Sequence, residues 1–277
     1  MRRPRVLRWR SRLDWWMATA SSTPSPQPPS QAQALLAQEL AHVARLQAER
    51  DANPILAGAL QRVAVWQGRR LRMTYEDLAA QPRYADAILF FQSDLYGSGE
   101  FARRDADLAR IVPMMVRMLP ERALAIVAKA VEVHALSQTL DRSLVARLPR
   151  ADGQFSVAEY CKAYRRTGKR PERERQVRLI GEIGGGIAEL VKKPLLRTGL
   201  RVMRQPARMA GLSALQDFLE RGFVAFRKMG DATEFLATID TRERALMEEL
   251  LVGETVPFPD PLQPRARATP GAVPAGR

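Results

Sequence analysis

The sequence is short of the groups from which most enzyme centres and disulfide-built folds are made. Its 277 residues include one cysteine, Cys161, and two histidines, His42 and His134. A lone cysteine excludes an intramolecular disulfide and any all-cysteine metal site, and it fits a reducing compartment, so a cytoplasmic location is expected. The patterns G-x-S-x-G, H-E-x-x-H and C-x-x-C are absent, which removes the commonest hydrolase, zinc-protease and redox signatures. The triple glycine at 184–186 lacks the Lys-Ser/Thr ending of a Walker loop and the preceding strand of a dinucleotide fold. Close helix packing at Gly181 and Gly185, or a hinge, is expected there instead. No uncharged run approaches the roughly 20 apolar residues of a membrane span, so no transmembrane segment is expected. There is no internal repeat of fixed period.

What the chain does have is 46% hydrophobic residues, enough for a buried core, with Ala, Leu, Arg, Glu and Met plentiful and β-branched and aromatic residues sparse. This balance predicts an all-α fold, a multi-helix bundle with disordered N- and C-terminal tails. Residues 1–30 join a basic segment to a Ser/Pro-rich tract, and 253–277 are Pro-rich; neither carries a periodicity to fold around. The basic start suits a transit peptide or an upstream extension, with Met1 and Met17 both open as the first residue.

Between the tails the punctuation predicts helices. One runs from Gln31 to Arg50, breaks at Asn53-Pro54 and resumes to Gly68. Thr74 with Asp77 resembles a capping pair, Pro82 opens the next helix, and Pro120 opens a long one to Leu148 with a stripe of Leu124, Val127, Ala128, Val131 and Ala135. The polar break PRADGQ divides a first helical half, 31–148, from a basic second half, 156–252. In the second half Ser156/Glu159, Ser213/Gln216 and Asp231/Glu234 read as capping boxes, and Leu215, Leu219, Phe226 and Met229 as a core stripe.

The formal charge is +14, and it is clustered. Residues 162–208 hold fourteen Lys or Arg against Glu172, Glu174, Glu182 and Glu189. Within this stretch Arg197, Arg201, Arg204 and Arg208 fall in one helical sector, preceded by Lys192 and Lys193, while Leu195, Leu196, Val202 and Met203 face the other way. Such a helix suits an acidic protein, a membrane surface or a nucleic-acid backbone; its plain alternative is a solvated face.

Three further constellations carry chemistry. In Phe90-Phe91-Gln92-Ser93-Asp94-Leu95-Tyr96 a carboxylate sits at the border of an apolar face. Either Asp94 pairs with Arg103 or Arg104 and locks two helices together, or Asp94 and Tyr96 line a small pocket. Glu39 and His42 have the E-x-x-H spacing of di-iron bundles, but no second such pair exists. His134, beside the 124–135 stripe, is either a core histidine or a haem ligand.

The stretch WQGRRLRMTYEDLAAQPRYADAILFFQSDLYG with RRDADLARIVPMM resembles the uncharacterised bacterial FFLEELY-type family. Its string is kept here at the paired Phe and the Leu-Tyr, with Gln-Ser-Asp replacing Leu-Glu-Glu. The resemblance extends over residues 60–250 and implies a shared helical fold, a bacterial source and no known activity. The resulting expectation is a non-enzymatic interaction protein without cofactor, engaging an anionic partner through its basic helix: a protein, a peripheral membrane surface or a nucleic acid. The alternative is a bundle holding haem, metal or lipid near His134.

Overall fold

A run of helices separated by prolines, glycines and capping side chains is what the punctuation dictates, and the computed structural model shows it over the residues it describes, 28–91, 119–150, 153–253 and 256–262. The protein is all-α, and ten helices and no strand occur among the described residues.

Helix α1 (Gln31–Ala52) starts at Ser30, whose hydroxyl accepts from the Gln33 N–H while Gln33 accepts from the Ser30 N–H, a reciprocal cap. Asn53 ends it and caps α2 (Pro54–Thr74), in which Pro54 sits in the first turn where its missing N–H costs nothing. Helix α2 does not stop at Gly68. That glycine is buried inside the helix, and packing overrides its weak propensity. A single turn, α3 (Glu76–Ala79), and a short α4 (Ala85–Phe90) follow. The long helix α5 (Glu121–Val145) begins after Pro120, and α6 (Val157–Thr167) begins at the Ser156/Glu159 box. Gly168 at φ 60° and Lys169 at φ 55° turn the chain into α7 (Arg170–Leu190). Then come α8 (Pro194–Met209), α9 (Ser213–Met229) and α10 (Thr233–Val252).

Three of the expected caps are put to other uses. Thr74 bonds back to the Arg70 carbonyl, and Asp77 pairs with Arg242. Gln216 reaches the Leu200 carbonyl instead of its own helix start, and Asp231 caps Thr233 locally while Glu234 accepts from Tyr84. Distant partners thus take Asp77, Gln216 and Glu234, whereas Thr74 and Asp231 bond locally.

Helix α5 is the hub, with α1, α2, α6 and α7 against it, while α10 packs on α7 and α6. Its apolar stripe of Leu124, Ala128, Val131 and Ala135 is buried as expected and meets Leu36 and Val43 of α1. By length and hydropathy alone α5 could also cross a membrane, which no uncharged run in the sequence suggested. One such helix is weak support for a span, and a core helix has the same composition.

A second cluster centres on Trp66, 1% exposed, stacked on Tyr160 at 4.1 Å and flanked by Phe155 and Phe258. An aromatic so placed is worth about 3–5 kcal/mol against alanine. The third gathers Tyr75, Tyr84, Phe90, Phe226, Met229 and Phe235. The second and third clusters each take residues from both sides of the PRADGQ break.

The glycine run lies inside α7, which passes through it unbroken. It is not a hinge, and the close approaches are not at Gly181 or Gly185, around which a Cβ would meet nothing within 4 Å. They are at Gly184, against Leu236 of α10, and at Gly186, against Ile126 of α5. Two residues apart on a helix point to nearly opposite sides, so α7 admits a neighbour on each.

Candidate anion-binding surface

Between Glu189 and Asp217 the chain contains no acid, and that interval carries Lys192, Lys193, Arg197, Arg201, Arg204 and Arg208. Helix α8 presents Leu196, Leu200, Met203 and Ala207 inward at spacings of four, three and four residues, so that this narrow stripe is buried or half-buried on α9. With α9 as its main support, α8 can cover only a strip about one neighbour wide. Val202 therefore does not join the inward face as expected: it is 66% exposed, and Met209 is 87% exposed. Leu195 has its side chain outside the described set.

The four arginines line the flank of α8 and are all exposed. Two adjoining shallow recesses of about 520 and 560 Å³ run between α8 and α9 and share Arg197, Phe223 and Arg227. Arg201, Arg204 and Lys228 border the first, and Lys192 and Lys193 the second. Leu200 and the buried ring of Phe223 supply apolar surface between the charges.

Some of this charge is already matched. Arg204 grips Glu220 with two hydrogen bonds, and Gln216 donates to the same carboxylate at 2.7 Å. Those contacts hold Glu220 well below the usual carboxylate range, helped at longer reach by Arg208. Lys192 pairs with Glu189 at 2.6 Å and Lys228 with Asp86 at 3.0 Å. Among the described residues no carboxylate forms an ion pair with Lys193, Arg197, Arg201, Arg208 or Arg227. Guanidinium groups so placed, with an apolar wall beside them, favour planar oxyanions such as carboxylates and phosphate oxygens.

Five of the six expected cations thus meet at the groove, and Arg208 lies one turn further along α8. The α9 wall of Phe223, Arg227 and Lys228 was not anticipated. Its signal is the Arg227-Lys228 pair in the last turn of α9, where cations favour a helix C-terminus.

The family described as Domain of unknown function (DUF8198) matches residues 31–257, a span that holds every described helix and the whole groove. The chain belongs to this family. No curated protein and no solved structure matches it.

Of the other singled-out residues of this DUF8198 chain, the described ones lie on helices α1, α4 and α5 or at the end of α4. Phe90 is buried, 5.1 Å from Phe218, and Phe91 stacks near Phe235 at 6.1 Å. Asp94, Leu95, Tyr96, Arg103 and Arg104 lie outside the described residues. Glu39 and His42 form a 3.5 Å pair on α1, with His42 Nε2 3.4 Å from the Thr139 hydroxyl on α5. His134 Nε2 lies 2.7 Å from the Gln138 amide nitrogen. Among the described residues no group of three or more His, Cys, Asp or Glu is placed to hold a metal ion.

The DUF8198 interior also holds a polar seam that no motif announced. Arg70 donates to Glu243 at 2.9 Å, and the Tyr75 hydroxyl donates to the same carboxylate at 2.7 Å. Burial opposes both charges, but the pairing prevails, lowering the Glu243 pKa and raising that of Arg70. Nearby, Gln67 donates to Asp141 at 2.9 Å and lies 3.3 Å from the Tyr160 hydroxyl. Burial pushes the Asp141 carboxyl up to about 6, against the opposing pull of Gln67 and Arg173. The Arg173 guanidinium stacks 3.5 Å over the Tyr164 ring.

Proposed function

We propose that this protein is a non-enzymatic helical interaction protein and that the groove between α8 and α9 is where it docks an anionic partner. The observation that carries the reading is the convergence of Lys193, Arg197, Arg201 and Arg227 on one apolar-walled groove, with no carboxylate ion-paired to them among the described residues. A merely solvated face gains nothing from gathering like charges, because their mutual repulsion costs stability unless something binds there. The FFLEELY-type resemblance supports a bacterial source, and the single buried cysteine supports work in the cytoplasm.

The test is charge reversal. Arg197→Glu, Arg201→Glu and Arg227→Glu together should abolish binding to poly-L-glutamate and to anionic vesicles at about 50 mM salt, where such contacts are least screened. Helix content by circular dichroism should be unchanged, because none of the three side chains is buried. Equal binding by wild type and variant, or no binding by wild type, overturns the reading.

A further inference from the structure

Resting on that reading, we infer that the anionic partner is a bilayer surface, on which α8 lies flat. The groove explains the arginines but not Val202 and Met209. These stand seven residues apart on the outward side of α8, 66% and 87% exposed, on a helix whose inward stripe already packs on α9. Residues seven apart lie on one face two turns from each other, so the two side chains point together into solvent. Arg201 and Arg208 each precede one of them in sequence and sit about 100° round the helix at the same level. An apolar pair with a guanidinium at the shoulder of each member is the arrangement that seats a helix at the boundary between headgroups and acyl chains. The apolar groups enter, and the arginine stems reach back to the phosphates.

Three features make a bilayer a better fit than an acidic peptide or a nucleic acid. Among the described residues helix α8 has α9 as its principal neighbour, which leaves its outward side uncovered by any other described helix. The acid-free interval of 27 residues around it presents no carboxylate to a negatively charged surface. Val224 on α9, 56% exposed and bordering the groove, adds exposed apolar surface beside Arg227. A polyanionic strand or peptide would use the arginines and leave Val202 and Met209 in water.

The experiment measures co-sedimentation of the full chain with vesicles of phosphatidylcholine containing phosphatidylglycerol, with vesicles of phosphatidylcholine alone, and binding to poly-L-glutamate and a short single-stranded DNA. The wild type should sediment with the anionic vesicles only. Val202→Ser with Met209→Ser should weaken that binding at least about tenfold and leave poly-L-glutamate binding unchanged, because exposed apolar side chains add to lipid binding but not to a soluble polyanion. Arg201→Glu with Arg208→Glu should remove both. If the serine variant sediments like wild type, or if wild type binds poly-L-glutamate or DNA through its arginines but ignores anionic vesicles, the bilayer inference fails and the groove reading stands. If wild type binds none of these probes, both fail.

Discussion

Asp141 gives the sharpest test of the interior. In the unfolded chain its carboxyl has the ordinary value of 3.8, and in the folded protein burial lifts it to about 6. At about pH 5 the folded protein therefore keeps a proton that the unfolded chain has released. Stability contributed by this group is complete below about pH 4 and is lost as pH rises toward about 6, since the native state binds the extra proton over that window. The rise from 3.8 to about 6, at about 1.4 kcal/mol for each tenfold in proton affinity, sets the loss at up to about 3 kcal/mol. Asp141→Asn keeps the shape and can still accept from the Gln67 amide, but it has no charge to desolvate. The variant should match wild type near pH 4 and be about 2–3 kcal/mol more stable near pH 7. Urea unfolding of both proteins between these limits measures the difference curve, which cancels the opposite slope contributed by the depressed Glu243. A difference that does not change with pH, or an asparagine variant less stable near pH 7, would refute the claim that Asp141 is held in a desolvated site.

Two further substitutions test the packing. Gly185→Ala should raise stability by about 0.5–1 kcal/mol, because the added methyl meets open space and the helix gains propensity; Gly186→Ala should lower it by about 1–3 kcal/mol, because the methyl would lie 2.7 Å from the stiff Ile126 side chain. Thermal unfolding of the pair distinguishes this from a glycine hinge, in which both would act alike. Glu243→Ala should cost about 3–5 kcal/mol by leaving the Arg70 charge buried without its partner, whereas Arg70→Met with Glu243→Leu should recover much of that loss, as read by chemical denaturation.

The sequence was most legible where one residue type settles the backbone locally. Asn53-Pro54, Pro120 and the Ser156/Glu159 pair all mark helix ends in the structure, because a missing N–H or a short side-chain oxygen acts within one turn. It was least legible where a distant helix decides. Gln216 has the right spacing for a capping box, but the Leu200 carbonyl lies within its reach, and Leu219, read as core, is 43% exposed because α9 turns that side away. Gly181 and Gly185 have the same composition as Gly184 and Gly186; which pair faces a neighbour depends on the rotation of α7, which no single helix encodes. The arginine flank of α8 could be read from periodicity, but its second wall could not, since Phe223 and Arg227 come from a helix whose own pattern points to the core.

The pairing of Arg70 with Glu243 joins residues 173 positions apart, and the Trp66 cluster is closed by Leu250 and Phe258. A chain emerging from the ribosome has therefore made most of its helices before the residues that cover Trp66 exist. Until residues 243–258 arrive, Arg70 lacks its carboxylate partner and the Trp66 cluster lacks Leu250 and Phe258. Such long-range closure is slow to form and leaves apolar surface open while it waits, so the newly made chain keeps one side of its core unfinished until its C-terminal residues pack.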